Sequence, residues 1–296
     1  MFEGLSVAMV TPFRGGTIDR DATARLVDWM IEGGVQGLVV SGSTGEAATC
    51  SVEERRALLV YVKERAKGRA WIVAGTGTNN TAESITMTKM AEEVGVDGAM
   101  IVTPYYNKPT PRGQAAHFRA VATSTKLPII LYNVPGRTAT NTTPDVLAMV
   151  QDLPNVKAVK EASGNLDQIS QVKTKTTLTL LSGDDGLTLP VIAVGGEGII
   201  SVAGQVVPRE MRALTDAARA GKVAEARAIH QKLLPIFKAL FLESNPGPVK
   251  FLLSEMGLIA NELRLPLVPV EPATETLVRE AARATGVVLA GAPARA

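Results

Sequence analysis

The chain has 296 residues, 46% of them hydrophobic and 20% charged, with 31 basic against 29 acidic side chains. A net charge of +2 offers neither the clustered cationic footprint of a nucleic-acid binder nor a polybasic membrane patch. The single cysteine, Cys50, excludes an internal disulfide and a cysteine-built metal cluster and reads best as a small buried hydrophobe.

At the start of the chain, Met1-Phe2-Glu3-Gly4 lacks the basic region and apolar stretch of a signal peptide. No apolar run approaches the roughly 20 residues of a membrane span, so a cytoplasmic protein is expected. The first apolar run, residues 5–10, precedes a helical pattern over 21–32. Residues 37–40 precede a second over 52–66, opened by the capping sequence Ser51-Val52-Glu53-Glu54. Residues 71–74 precede a third over 82–94, for which Thr81-Ala82-Glu83-Ser84 is the capping sequence. Further runs follow at 99–102, 129–131, 156–159, 178–181 and 198–200. Each is too short for a helix and rich in Val, Ile or Leu, as expected of a parallel strand buried on both faces. Eight strand–helix units predict an α/β fold, a (β/α)8 barrel over residues 1–221, where a doubly wound sheet typically needs fewer strands. Residues 208–220 form its eighth helix. Helical patterns at 223–242, 248–256 and 273–284 predict an extension over 222–296 packed on the barrel. Pro266, Pro269 and Pro272 punctuate a loop within it, and residues 291–296 are expected to fray.

A barrel enzyme builds its site at the C-terminal strand ends. Here those ends are Thr11-Pro12, Gly42-Ser43-Thr44-Gly45-Glu46, Gly75-Thr76-Gly77, Thr103-Pro104-Tyr105-Tyr106-Asn107, Tyr132-Asn133-Val134-Pro135-Gly136-Arg137, Lys160-Glu161, Ser182-Gly183-Asp184-Asp185 and Ser201-Val202. Three of the four tyrosines sit on this rim. Alternation puts Lys160 on the face of Val156 and Ala158. If that face is the barrel interior, burial lowers the lysine pKa and supplies the neutral amine that imine chemistry needs. The same run also fits a lysine reaching back to solvent. Tyr132, on the neighbouring strand, can exchange protons with such an amine, and Ser43, Thr44 and Tyr106 can relay them. Core aromatics and a helix N-cap are the alternatives for those residues. Arg137 can clamp a carboxylate with two hydrogen bonds, or form a surface ion pair. Asp184 and Asp185 stand where many barrels bind phosphate, which favours an unphosphorylated, carboxylate-bearing substrate. His117 and His230 lack ligand spacing, and Gly75-Thr76-Gly77 is not completed as a dinucleotide fingerprint, so neither metal nor organic cofactor is expected.

Taken together, Val10-Thr11-Pro12-Phe13, the Gly-Ser-Thr-Gly-Glu block, Lys160 and Tyr132-Asn133-Val134-Pro135-Gly136-Arg137-Thr138 resemble the N-acetylneuraminate lyase family of class I pyruvate aldolases. The resemblance runs almost the whole chain, to Asn245-Pro246-Gly247-Pro248-Val249-Lys250. Arg137 resembles the branch that condenses pyruvate with L-aspartate 4-semialdehyde, since the sialate-cleaving branch has no arginine there. The resemblance implies that Lys160 forms an imine with pyruvate and that Tyr132 is its proton donor and acceptor. It implies that Thr44 binds the pyruvate carboxylate, and that Ser43 and Tyr106 complete a relay, Tyr106 being lent by a neighbouring subunit. Gly183 and Ile200 match backbone positions near the imine, and Arg137 would hold the semialdehyde carboxylate. A homotetramer built as a dimer of dimers and a place in the diaminopimelate–lysine pathway are also implied.

Two departures stand out. Ser43 replaces a threonine common in that branch, keeping the hydroxyl but not the distinction from the sialate lyases. The lysine-feedback cleft of sensitive relatives matches Ala47, Ala48, Val52, Arg55, Asn79, Glu83 and Tyr105, with Val52 and Arg55 where some sensitive enzymes carry histidine. Weak or absent inhibition by lysine is therefore expected. The alternatives are a lyase for a sialic acid or 2-keto-3-deoxy sugar acid, and a non-catalytic keto-acid sensor.

Overall fold

The eight apolar runs become eight parallel strands of one closed barrel. In the computed structural model, which describes residues 1–290, they are β1 (Gly4–Ala8), β2 (Gly37–Val40), β3 (Trp71–Gly75), β4 (Gly98–Val102), β5 (Ile129–Asn133), β6 (Val156–Glu161), β7 (Thr179–Ser182) and β8 (Gly198–Ser201). Each strand pairs with the next in sequence, and β8 closes on β1 with Gly4 opposite Gly198. The predicted fold class is the observed one. The expected fraying of 291–296 lies outside the described residues.

Alternation divides the barrel into two apolar layers. Val39, Val73, Met100, Ile130, Ala158, Leu181 and Ile200 point inward. Leu38, Ile72, Ile101, Leu131, Val159, Leu180 and Ile199 point outward against the helices. The inner layer is floored at the N-terminal end of the strands. There the Trp71 indole donates to Ser6 Oγ at 3.2 Å and occupies the space a Cβ on Gly37 would need. Phe2 meets the Trp71 ring edge-on, with centroids 6.4 Å apart.

Strict alternation fails in β6, and there the expectation is corrected. Between Ile129 and Ile130 the register shifts, so Ile129 faces Val156 while Ile130 faces Ala158. This bulge leaves Lys157 exposed and puts Val156 in the outer layer. Ala158 belongs to the inner layer, and Lys160 follows it on that side. An extra residue absorbed by a bulge reverses the parity on one side of it.

The helices begin where local chemistry can satisfy their free N–H groups. Ser51 and Glu54 form the expected capping box ahead of Val52–Ala66. For the next helix the cap is Asn80, not Thr81: its side chain accepts from Ala82 N and Glu83 N, so the helix spans Thr81–Val94. A hairpin of Phe13–Arg14 with Thr17–Ile18, and the short helices Pro135–Thr138, Pro144–Ala148 and Thr188–Ala193, are too brief to show periodicity.

In the C-terminal segment, Val223–Ala239 packs on the barrel helix Pro208–Arg219 and on Pro272–Thr285. Helix Gly247–Glu255 buries Lys250 in an ion pair with Glu46, both side chains fully shielded from solvent. Lys250 Nζ also donates to Glu262 O at 2.8 Å and lies 4.3 Å from the Phe13 ring centroid. Arg264 stacks on the same ring, gives its N–H to Glu46 at 3.0 Å and binds Glu54 through both terminal nitrogens, at 2.7 and 2.5 Å. This cluster ties the loop after β2 to the extension. Among the described residues no helix is long and apolar enough to cross a membrane.

Candidate active site

A cavity of about 360 Å³ opens at the C-terminal strand ends, with Lys160, Tyr132, Thr44, Arg137, Gly183 and Asn245 in its wall. Lys160 and Tyr132 are register partners on β6 and β5, and Lys160 Nζ lies 4.2 Å from the Tyr132 ring centroid. Burial pushes the Lys160 ammonium down to about 8; Asp185 opposes the shift and Arg137 adds to it. Burial also drives the Tyr132 hydroxyl up to about 12, so it stays protonated at neutral pH, with Arg137 as a weaker opposing influence. A Cβ at residue 183 would lie 3.1 Å from Lys160 Cε and 2.7 Å from Ala162 Cβ, so Gly183 leaves the lysine stem its room. An amine that is partly neutral beside a protonated phenol can form an imine with a carbonyl and receive or release the accompanying protons.

The outer faces of the same strand ends hold this pair in place. Tyr132 O accepts from Thr103 N at 2.8 Å and Thr103 Oγ1 at 3.0 Å. Asn133, the next residue, donates from Nδ2 to Glu161 Oε2 at 3.0 Å, and its Oδ1 accepts from Thr142 N at 2.8 Å. Glu161, next to Lys160, also accepts from Ser163 N at 2.6 Å.

On the opposite wall Thr44 is buried, and its hydroxyl accepts from Asn245 Nδ2 at 2.9 Å. Ser43 is exposed, and lines both this cavity and a second one. Arg137 stands on the short helix Pro135–Thr138, exposed, and donates to Asn245 O at 3.4 Å. Ile200 belongs to the inner apolar layer rather than to the cavity wall.

Tyr106 is placed apart. It is 87% exposed, outside both cavity walls, with φ at 72° in the left-handed region, where a non-glycine residue stores about 1–3 kcal/mol of strain. The second cavity, about 500 Å³, adjoins the first through Gly42, Ser43, Tyr132 and Arg137. Ala47, Ala48, Val52, Arg55, Glu83 and Tyr105 line it; Asn79 does not, and its carbonyl accepts from Asn107 Nδ2 at 2.9 Å. Arg55 is buried there with its guanidinium donating to Gly75 O at 2.6 Å.

Two side chains take parts at the site that the sequence does not assign to them. Asn245 arrives from the extension to join Thr44 and Arg137, with its own Oδ1 buried and unpartnered. Asp185 does not face solvent as an anion-repelling acid. Its carboxylate turns inward and accepts from Ser201 Oγ, from Val202 N at 3.1 Å and from Ala203 N at 2.9 Å. Burial pushes it up to about 6 against those bonds. Asp184 beside it is exposed on the cavity wall and caps Gly186 N at 2.8 Å.

The sequence profile described as the Dihydrodipicolinate synthetase family matches residues 1–285. The chain is 47% identical over 290 residues to the 4-hydroxy-tetrahydrodipicolinate synthase of Nitratidesulfovibrio vulgaris, covering 97% of this chain and 99% of that one. It is 47% identical over 273 residues to that of Bacillus subtilis, covering 91% and 94%. The crystal structure of dihydrodipicolinate synthase from Aquifex aeolicus superposes with a TM-score of 0.96 at 41% identity, over 98% of this chain and 100% of that one.

Proposed function

The chain belongs to the dihydrodipicolinate synthetase family, and from that premise we propose that it has 4-hydroxy-tetrahydrodipicolinate synthase activity, joining pyruvate to L-aspartate 4-semialdehyde. The observation that carries the chemistry is the buried Lys160 amine, lowered to about 8, beside the protonated Tyr132 hydroxyl.

In this reading Lys160 attacks C2 of pyruvate and expels its keto oxygen as water, Tyr132 giving the proton. The imine loses a proton from C3, and the resulting enamine attacks the aldehyde carbon. The aldehyde oxygen takes a proton and becomes the ring hydroxyl. The semialdehyde amine then attacks C2, closes the ring and displaces the Lys160 amine. One water is released in all. Thr44 holds the pyruvate carboxylate and Asn245 holds Thr44. Arg137 takes the carboxylate of the semialdehyde, Gly183 and Ile200 shape the backbone around the imine, and Ser43 continues the proton path. Tyr106 completes that path from a second copy of the chain, since its own chain leaves it exposed and apart from the cavity. The proposed assembly is a cytoplasmic homotetramer, a dimer of dimers, working without metal or organic cofactor.

The test is turnover of pyruvate with L-aspartate 4-semialdehyde, with a sialic acid offered separately in the cleavage direction. Activity on the sialic acid alone would replace the synthase reading by the lyase one. Arg137→Ala is expected to raise the KM for the semialdehyde about 10- to 100-fold and to damage kcat/KM for pyruvate far less. Equal damage to both would remove Arg137 from its assigned role.

Lysine is expected to inhibit weakly or not at all. Arg55 puts a buried guanidinium in the wall of the second cavity, where it repels an ammonium that Glu83 alone must hold. Half-maximal inhibition by submillimolar lysine would refute this.

A further inference from the structure

The cavity wall carries a cation that the proposed reaction leaves unused. Lys238, in the last turn of helix Val223–Ala239, lines the mouth with Phe237 and Phe241, and its side chain is exposed. None of the ion pairs among the described residues includes it. A basic residue in a helix's last turn complements the helix dipole, but this does not account for its place on the wall. Lys232, on the same helix and also exposed, is not part of that wall. The charged residues of the wall are Lys160, Arg137 and Lys238 against Asp184. An excess of positive charge in a concave, partly apolar mouth concentrates anions.

Which reactant feels this follows from net charge. Pyruvate is a monoanion at neutral pH. The semialdehyde carries an ammonium as well as a carboxylate and is neutral overall. Attraction over several ångströms acts on net charge, so it selects pyruvate. In the bound state both carboxylates already have partners, Thr44 and Arg137, and Lys238 has none left to hold.

We propose that Lys238 is a guiding cation at the mouth that raises the rate at which pyruvate reaches Lys160. This rests on the imine reading above, and the readout is chosen to separate the two. The second-order rate constant for the pyruvate adduct, trapped with borohydride and followed by intact mass, carries the local pyruvate concentration and needs no semialdehyde.

Lys238→Gln is expected to lower that constant about 3- to 10-fold in dilute buffer, and by less than about twofold in roughly 0.5 M salt, where the screening length shrinks to a few ångströms. Lys238→Arg retains the wild-type constant, and Lys232→Gln is the control for overall charge. In steady state, kcat/KM for the semialdehyde stays within about twofold. A loss that ignores salt, a matching loss in the Lys232 variant, an equal loss for the semialdehyde, or no loss at all would each overturn the proposal while leaving the imine reading intact. Absence of any adduct on the wild type would overturn both.

Discussion

Lys160→Ala is expected to abolish the borohydride-trapped pyruvate adduct and to cut turnover by about 10⁴-fold or more, because in the proposed mechanism its amine forms the covalent link on which every later step depends. The wild-type rate of adduct formation should follow the neutral fraction of the amine. It rises with pH through about 8 and levels off above, since a neutral amine attacks and an ammonium cannot. At pH 7 about a tenth of Lys160 is neutral, some 300 times the fraction of a lysine at its ordinary pKa of about 10.5. Burial is the main cause, so the profile shifts toward that of a free lysine if the pocket is opened to water. An adduct that survives in the alanine variant, or a wild-type profile that rises only above pH 10, would break the assignment.

The second large effect lies outside the cavity. Lys250→Met is expected to destabilise the protein by about 3–5 kcal/mol, because Glu46 is left as a buried carboxylate without its counter-charge. That corresponds to a fall in Tm on the order of 10 °C for a chain of this length. Turnover at permissive temperature should also drop. Glu46 closes the loop that presents Ser43 and Thr44, its own backbone held at φ 51°. Adding Glu46→Leu should return part of the lost stability, since a paired apolar replacement leaves no orphaned charge. An unchanged Tm in the single variant would mean that the pair contributes nothing.

The barrel was legible because its signal is local. A buried parallel strand needs only a short, mostly apolar stretch of about three to six residues, and all eight stretches show it. Lys160, Tyr132 and Arg137 were legible for a related reason, since a barrel's topology gathers strand ends on one rim whatever lies between them. Lys160 lies on the inner face although one of the two residues that alternation groups with it points outward. Ala158 was a sound guide and Val156 was not, because a bulge is a feature of two strands and leaves no mark in one. Asn245 and the Glu46–Lys250 pair were hidden differently. Both bring together residues some two hundred positions apart, and nothing in either stretch names its partner. Asp184 and Asp185 both stand on the rim, and the sequence does not tell which of two adjacent carboxylates turns inward. The turn is settled by three donors around Ser201–Ala203.

The closed floor built by Phe2, Trp71 and Ser6 has a kinetic consequence. With the inner layer filled by apolar side chains up to Lys160, the amine is closed off from the N-terminal end of the barrel and is approached from the strand-end side. Whatever bonds to it arrives first and sits deepest, and a second reactant can only stack above. The cyclised product must then leave by the path the next pyruvate takes in. A strict sequence of arrivals, and competition between departing product and incoming pyruvate, therefore follow from the architecture without any moving gate.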